Sequence, residues 1–286
     1  MIFGSDGMEI FSQQMTEISL SLELWFGLHK SKHEGMLRLF CFPFAGTGAS
    51  MFRNWSRYLP REVELWPVQL PGRENRIAEP PLTRLSELVP LLADLLMPVL
   101  TKPFLFFGHS MGALISFELG RELRRRKTAQ PAALFLSGKY APQLVREELR
   151  YSLPDDDFLA ELQLLNQNRS SDDEEQELLR LMLPTIRADF SVCDTYRYTE
   201  EPPLNCPFAV WGGLEDPEAS PSDIEGWREQ TTGPVSVRMF EGDHFFLLES
   251  ERLFLESLVA ELDRLFLSAH SQNTVSSGLS GEGLAA

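Results

Sequence analysis

The stretch "PFLFFGHSMGALISFEL", residues 103–119, decides the fold of this chain. An apolar run, Phe104 to Phe107, stops at Gly-His-Ser-Met-Gly, and a helical pattern follows at once. Two readings compete for Ser110. In one, glycines relieve crowding at a tight strand-to-helix turn and the serine is an ordinary helix-start residue. In the other, the turn is a nucleophile elbow that holds the hydroxyl clear of the sheet for attack on a carbonyl. The rest of the chain discriminates between them.

Strand-like runs recur at 37–44, 63–70, 103–108, 133–139, 206–213 and 235–242, several of them apolar at nearly every residue. Such runs suit a parallel sheet covered on both faces. Helix-like segments at 50–59, 85–100, 111–127 and 249–267 alternate with them, the pattern of a doubly wound α/β domain. Residues 145–200 break the alternation and read as helices without strands, an insert placed where a lid would cover a pocket. Within it, Ser171 and Glu174 have capping-box spacing, and the acidic run beside them reads as a solvated helix start. Residues 1–24 and 269–286 are weakly patterned and are expected to be mobile tails flanking one domain over 25–268.

Composition bounds the function. The chain has 286 residues, 43% of them hydrophobic and 24% charged, enough for a sizeable core. A net charge of -16 argues against nucleic acid or an anionic membrane as partner. Three cysteines without CxxC or His-rich spacing argue against a disulfide framework or a metal site, and for a reducing compartment. The N-terminus lacks the pattern of a secretory signal and no apolar run approaches the ~20 residues of a membrane span, so a cytoplasmic location is expected.

A serine hydroxyl needs a base. His29 and His33 precede the first strand, His109 sits inside the elbow, and His270 lies in the tail; His244 follows the last strand. Loops at the carboxyl ends of parallel strands share one sheet edge, so His244 can meet Ser110 there. Asp216, just past another strand end, is the favoured partner for the imidazole, with Glu215 as fallback. Asp243 adjoins His244 and is poorly placed to reach its Nδ1, and Asp189 falls within the insert. The resulting order Ser, Asp, His is that of an α/β-hydrolase. The Met111 backbone N–H at the helix start offers one oxyanion donor, and the Ala45 N–H in "FPFAGTGAS" (42–50) a second.

Six motifs in order, "LFCFPFAG", "VQLPGRENR", "FGHSMGALISFELGREL", "LFLSGKYAP", "PTIRADF" and "GDHFFL", give a chain that resembles the type II thioesterases of polyketide and nonribosomal peptide synthesis over most of residues 25–250. The resemblance implies an α/β-hydrolase that removes stalled or misprimed acyl groups from the phosphopantetheine arm of acyl or peptidyl carrier proteins; no metal or other cofactor and a monomeric state are expected. It supports Ser110, Asp216 and His244 as the triad, Ala45 and Met111 as the oxyanion hole, and 145–200 as the lid. "AGTGAS" (45–50) departs from the frequent Gly-Gly after the alanine, and Thr47 is expected to narrow the entrance. A carboxylesterase, or an acyltransferase with a similar elbow, is the alternative activity.

Two groups of residues are expected to bear on substrate. Phe158, Leu159, Leu162 and Leu165 repeat at helical spacing and either pack the insert or line an acyl channel. An acidic carrier needs a local basic patch on this acidic chain. The cluster Arg121, Arg124, Arg125, Arg126 and Lys127 lies roughly 20–25 Å from the serine along the elbow helix. Arg53 and Arg57, with Arg73 and Arg76, follow strand ends on the active-site edge and are the candidate docking residues.

Overall fold

A computed structural model of the chain describes residues 19–27, 31–144, 146, 149–165 and 173–278. Six strands form one sheet in the order β2-β1-β3-β4-β5-β6. They are β1 (Leu37–Phe42), β2 (Val63–Pro67), β3 (Phe104–His109), β4 (Ala133–Ser137), β5 (Phe208–Gly213) and β6 (Val235–Phe240). Every pairing between them is parallel, and all six expected runs are present, β3 displaced by one residue and the other five shorter by two or three. The helices are α1 (19–26), α2 (Leu85–Leu96), α3 (Met111–Arg125), α4 (Asp155–Leu165), α5 (Asp173–Asp194), α6 (Pro221–Glu225), α7 (Phe246–Glu249) and α8 (Glu251–Gly278).

The continuous apolar runs are explained by burial on both faces, because alternate strand side chains point to opposite sides. Phe40, Phe42, Phe106, Leu134, Leu136 and Val210 pack with residues of α2 and α3. Leu39, Cys41, Leu105, Phe107, Phe135 and Trp211 pack with Trp55 and with Phe254, Leu255 and Leu258 of α8. The insert has a core of its own, formed by Phe158, Leu159 and Leu165 of α4 with Leu183, Ile186 and Phe190 of α5.

Three expectations change. Residues 50–59 form two short 3-10 turns, Ala49–Phe52 and Trp55–Arg57, where one helix was expected. The C-terminal helix runs to Gly278, through the first part of the expected tail, and residues 19–24 lie in α1. The Ser171 capping box, together with residues 1–18 and 279–286, lies outside the described residues. Among the described residues, no helix is long and apolar enough to cross a membrane.

Candidate active site

Ser110 stands between β3 and α3 with φ 53° and ψ -114°, a conformation that a residue with a side chain rarely adopts. Holding it costs of order 1–3 kcal/mol, and the surroundings enforce it. Its N–H donates to the Ser137 carbonyl at 2.8 Å, while its own carbonyl accepts from Ala113 N at 3.0 Å. The flanking glycines are there for close approach. A Cβ on Gly108 would lie 1.9 Å from the Gly112 carbonyl oxygen, and one on Gly112 would lie 2.1 Å from that of Phe42. The pentapeptide is therefore both a packing necessity and a strained platform that lifts Ser110 to the sheet edge.

His244 reaches that edge from the loop after β6. Its Nδ1 lies 3.0 and 2.9 Å from Oδ1 and Oδ2 of Asp216, in the loop after β5. Both side chains are buried. A carboxylate only accepts, so Nδ1 carries the proton and Nε2 is the basic nitrogen of the neutral ring. Asp216 Oδ1 also accepts from Glu218 N–H at 2.8 Å, which fixes the carboxylate. The rival acids are occupied elsewhere. Glu215 is exposed and accepts from Gly242 N–H at 2.5 Å, and Asp243 accepts from Phe245 N–H at 2.8 Å.

His109 is fully buried and braces the His244 loop from beneath. Its Nε2 donates to the His244 carbonyl at 2.9 Å, so its Nδ1, 2.9 Å from Ser137 Oγ, accepts from that hydroxyl. Burial holds its pKa well below the usual histidine value, as a neutral ring with this tautomer requires.

The loop after β1 brings Ala45 to the mouth of a cavity of about 260 Å³ that Ser110 and His244 also line. Gly46 N–H is spent on Asp189 Oδ2 at 2.8 Å. Neither the Ala45 nor the Met111 N–H is hydrogen-bonded among the described residues. The side chain of Thr47 turns back, its hydroxyl donating to the Phe44 carbonyl at 2.9 Å, and its residue lines the same mouth.

The loop's position depends on a pairing that sequence reasoning missed. Arg73 Nη1 and Nη2 each lie 2.7 Å from a carboxylate oxygen of Asp189 on α5, and Nη1 also donates to the Thr47 carbonyl at 3.0 Å. Only 2% of either side chain is exposed. Arg73 is thus an internal strut between α5 and the loop after β1, which removes it as a docking residue. Arg76 is removed for the same reason. It is buried, donates to the Gln69 carbonyl at 2.9 Å, pairs with Glu79, and stacks over Trp25. Arg53 and Arg57 are exposed.

The four insert residues divide. Leu162 and Leu165 line the cavity. Phe158 does not; it is buried edge-on against Phe190 with Arg187 over its ring. Leu159 packs within the insert core as well. Leu162→Ala is accordingly expected to shift preference toward longer acyl chains with little change in melting temperature. Phe158→Ala is expected to cost about 3–5 kcal/mol of stability. Turnover across an acyl series and urea unfolding of both variants check this pair.

A parallel sheet with a strained serine after β3, a buried acid after β5 and a histidine after β6 defines a serine hydrolase of the α/β-hydrolase fold. The thioesterase domain family matches residues 37–266, so the chain belongs to the thioesterase family. It is similar to the gramicidin S biosynthesis protein GrsT of Aneurinibacillus migulanus, with 45% identity over 89% of this chain and 99% of that protein. Among solved structures it is similar to the RedJ thioesterase of the prodiginine pathway in Streptomyces coelicolor. That match has 38% identity and a TM-score of 0.76, covering 79% of this chain and 86% of RedJ. YbtT, the type II thioesterase of the yersiniabactin NRPS/PKS pathway, matches at 33% identity and a TM-score of 0.70, covering 82% of this chain and 96% of YbtT.

Proposed function

We propose that this chain hydrolyses acyl thioesters presented on the phosphopantetheine arm of carrier proteins, clearing stalled or misprimed acyl groups from a synthase. The observation that carries the reading is the Asp216–His244 pair beside the strained Ser110, in a cavity walled mainly by apolar side chains. Ser110 Oγ attacks the thioester carbonyl carbon while His244 Nε2 takes its proton, and Asp216 stabilises the imidazolium. The Ala45 and Met111 amides receive the oxyanion. Collapse of the tetrahedral intermediate breaks the C–S bond, and His244 returns the proton to the departing thiol. Water then attacks the acyl-serine by the same route and releases the carboxylic acid. Every step uses groups of this chain, with water as the second reactant.

A cavity of about 260 Å³ falls just below the ~300–1,000 Å³ typical of drug-sized ligands, which supports a short acyl group as the occupant. Relative kcat/KM for acyl-carrier protein and for p-nitrophenyl esters of the same acyl group tests the assignment. A preference for the thioester is expected, and a preference for the oxyester contradicts it.

The exposed Arg53 and Arg57 remain the candidates for meeting an acidic carrier. The arginines at the far end of α3 are engaged with Glu122, Glu201 and Asp94. Arg53→Glu/Arg57→Glu is expected to raise KM for the acyl-carrier protein while sparing a short acyl-pantetheine thioester, because charge complementarity acts on encounter with the carrier. Steady-state kinetics on both substrates checks it; equal effects would show that docking lies elsewhere.

A further inference from the structure

The cavity that holds Ser110 and His244 has one charged wall, formed by Lys139, Arg150 and Glu218. Lys139 follows β4 through Gly138, whose φ of 57° turns the chain, and Trp227 Nε1 fixes the Lys139 carbonyl at 2.7 Å. The Lys139 side chain is only 4% exposed, yet its ammonium makes no hydrogen bond among the described residues. Its nearest carboxylate, Glu218 Oε2, is 4.0 Å away, and the Tyr140 ring centroid is 4.2 Å away. Burial pushes its pKa down, but Tyr140, Cys193 and Glu218 more than offset this, and the group stays protonated. Burial likewise opposes ionisation of Glu218, but Lys139 and Arg150 hold its carboxyl at about 2.

The ammonium is open to the cavity and none of its three donors is hydrogen-bonded among the described residues, so an acceptor has to come from the cavity side. Lys139 lines the cavity of the reacting serine. We propose that Lys139 is a specificity residue that takes a neutral oxygen acceptor of the acyl group, a hydroxyl, keto or amide carbonyl oxygen beyond the thioester. A carboxylate is the wrong occupant, because Glu218, paired with Arg150, and Asp194 together already balance Lys139 and Arg150, and Glu218 would stand beside the incoming anion. The placement is built into the catalytic loop: Glu218, which counters the lysine, donates its N–H to the Asp216 carboxylate that orients His244. An unsubstituted alkyl chain would have to strip the ammonium without replacing any contact.

This inference rests on the hydrolytic reading above, and the experiment separates the two. The probes are pantetheine thioesters of one chain length: unsubstituted, carboxylate-terminated, and carrying a hydroxyl at each carbon beyond C2 in turn. The full chain is expected to hydrolyse at least one hydroxyacyl thioester roughly ten- to a hundredfold better than the unsubstituted one. Lys139→Met, of similar length and apolar, is expected to abolish that ratio, lowering kcat/KM for the hydroxyacyl probe and raising it for the unsubstituted probe. Hydrolysis without preference in the wild-type chain overturns the subsite and leaves the hydrolase standing, and this arm needs no variant to fold. Equal loss on all probes in Lys139→Met, or a preference for the carboxylate, also overturns it. Failure to hydrolyse any probe overturns the hydrolytic reading itself.

Discussion

Replacing Ser110 by alanine is expected to lower kcat/KM for an acyl-pantetheine thioester by about 10⁴-fold or more, with the fold intact. Only one oxygen is removed, and the hydroxyl contributes no hydrogen bond among the described residues to the turn that carries it. The backbone strain at Ser110 stays, because alanine at φ 53° is no more comfortable than serine. Stability should therefore change little while chemistry is lost. His244→Ala should approach the same loss, since the two residues act as a unit, and Asp216→Asn should be milder. Steady-state kinetics with circular dichroism of each variant is the check. Retention of more than a few per cent of activity by a folded Ser110→Ala protein contradicts the nucleophile assignment.

The Arg73–Asp189 strut carries the second large effect, on stability and turnover together. Asp189→Asn keeps the side-chain volume but leaves the Arg73 guanidinium buried without its counter-charge, and breaking such a pair costs about 3–5 kcal/mol. It also weakens the acceptor for Gly46 N–H, the residue next to Ala45, the proposed oxyanion donor. A shift of that loop by even 1 Å can cost about 10²-fold in rate. The loss is expected in kcat, because the shifted loop carries the proposed oxyanion donor, with a smaller rise in KM because Phe44 to Thr47 of that loop also line the cavity. The double variant Arg73→Met/Asp189→Leu separates the two consequences. Removing both charges should recover much of the stability, but the loop's anchors at Gly46 N–H and the Thr47 carbonyl remain absent, so kcat should stay low. Urea unfolding and kcat measured on both variants check this; recovery of kcat along with stability would show that the pair only stabilises the fold.

The sheet, and the meeting of the proposed triad residues at one of its edges, were legible in the sequence because both announce themselves locally. Strands β1, β3 and β4 are apolar on both faces, and each triad residue follows a strand end, so one topological rule brings Ser110, Asp216 and His244 to the same edge. Where periodicity misled, the cause is geometric. Val68 and Leu70 are apolar and buried yet lie beyond β2, so burial alone could not mark the strand's end. Phe52, Trp55 and Leu59 have helical spacing, but Phe52 and Trp55 sit on two separate 3-10 turns and Leu59 lies beyond the second. Past residue 267 the sequence turns polar, and α8 continues without an amphipathic signal to reveal it. The charged interior was not legible at all. Arg73 and Asp189 are 116 residues apart, and nothing in either segment marks one arginine among several as buried. Arg73 and Arg76 looked like surface cations on the correct edge, and the edge was right. Lys139 and Glu218 stayed equally silent, each a single charge in a loop whose neighbours carry the more obvious chemistry.

The central claim is that a carrier thioester acylates Ser110 under the control of His244. Labelling with a pantetheine analogue bearing a phosphonylating centre in place of the thioester carbonyl tests it most directly, since the tetrahedral adduct does not hydrolyse. Peptide mapping by mass spectrometry is expected to find one adduct, on Ser110, formed in proportion to the loss of thioester hydrolysis and greatly slowed in His244→Ala. Stoichiometric label on Cys193 or any other residue, or full labelling of Ser110 with hydrolysis undiminished, would contradict it.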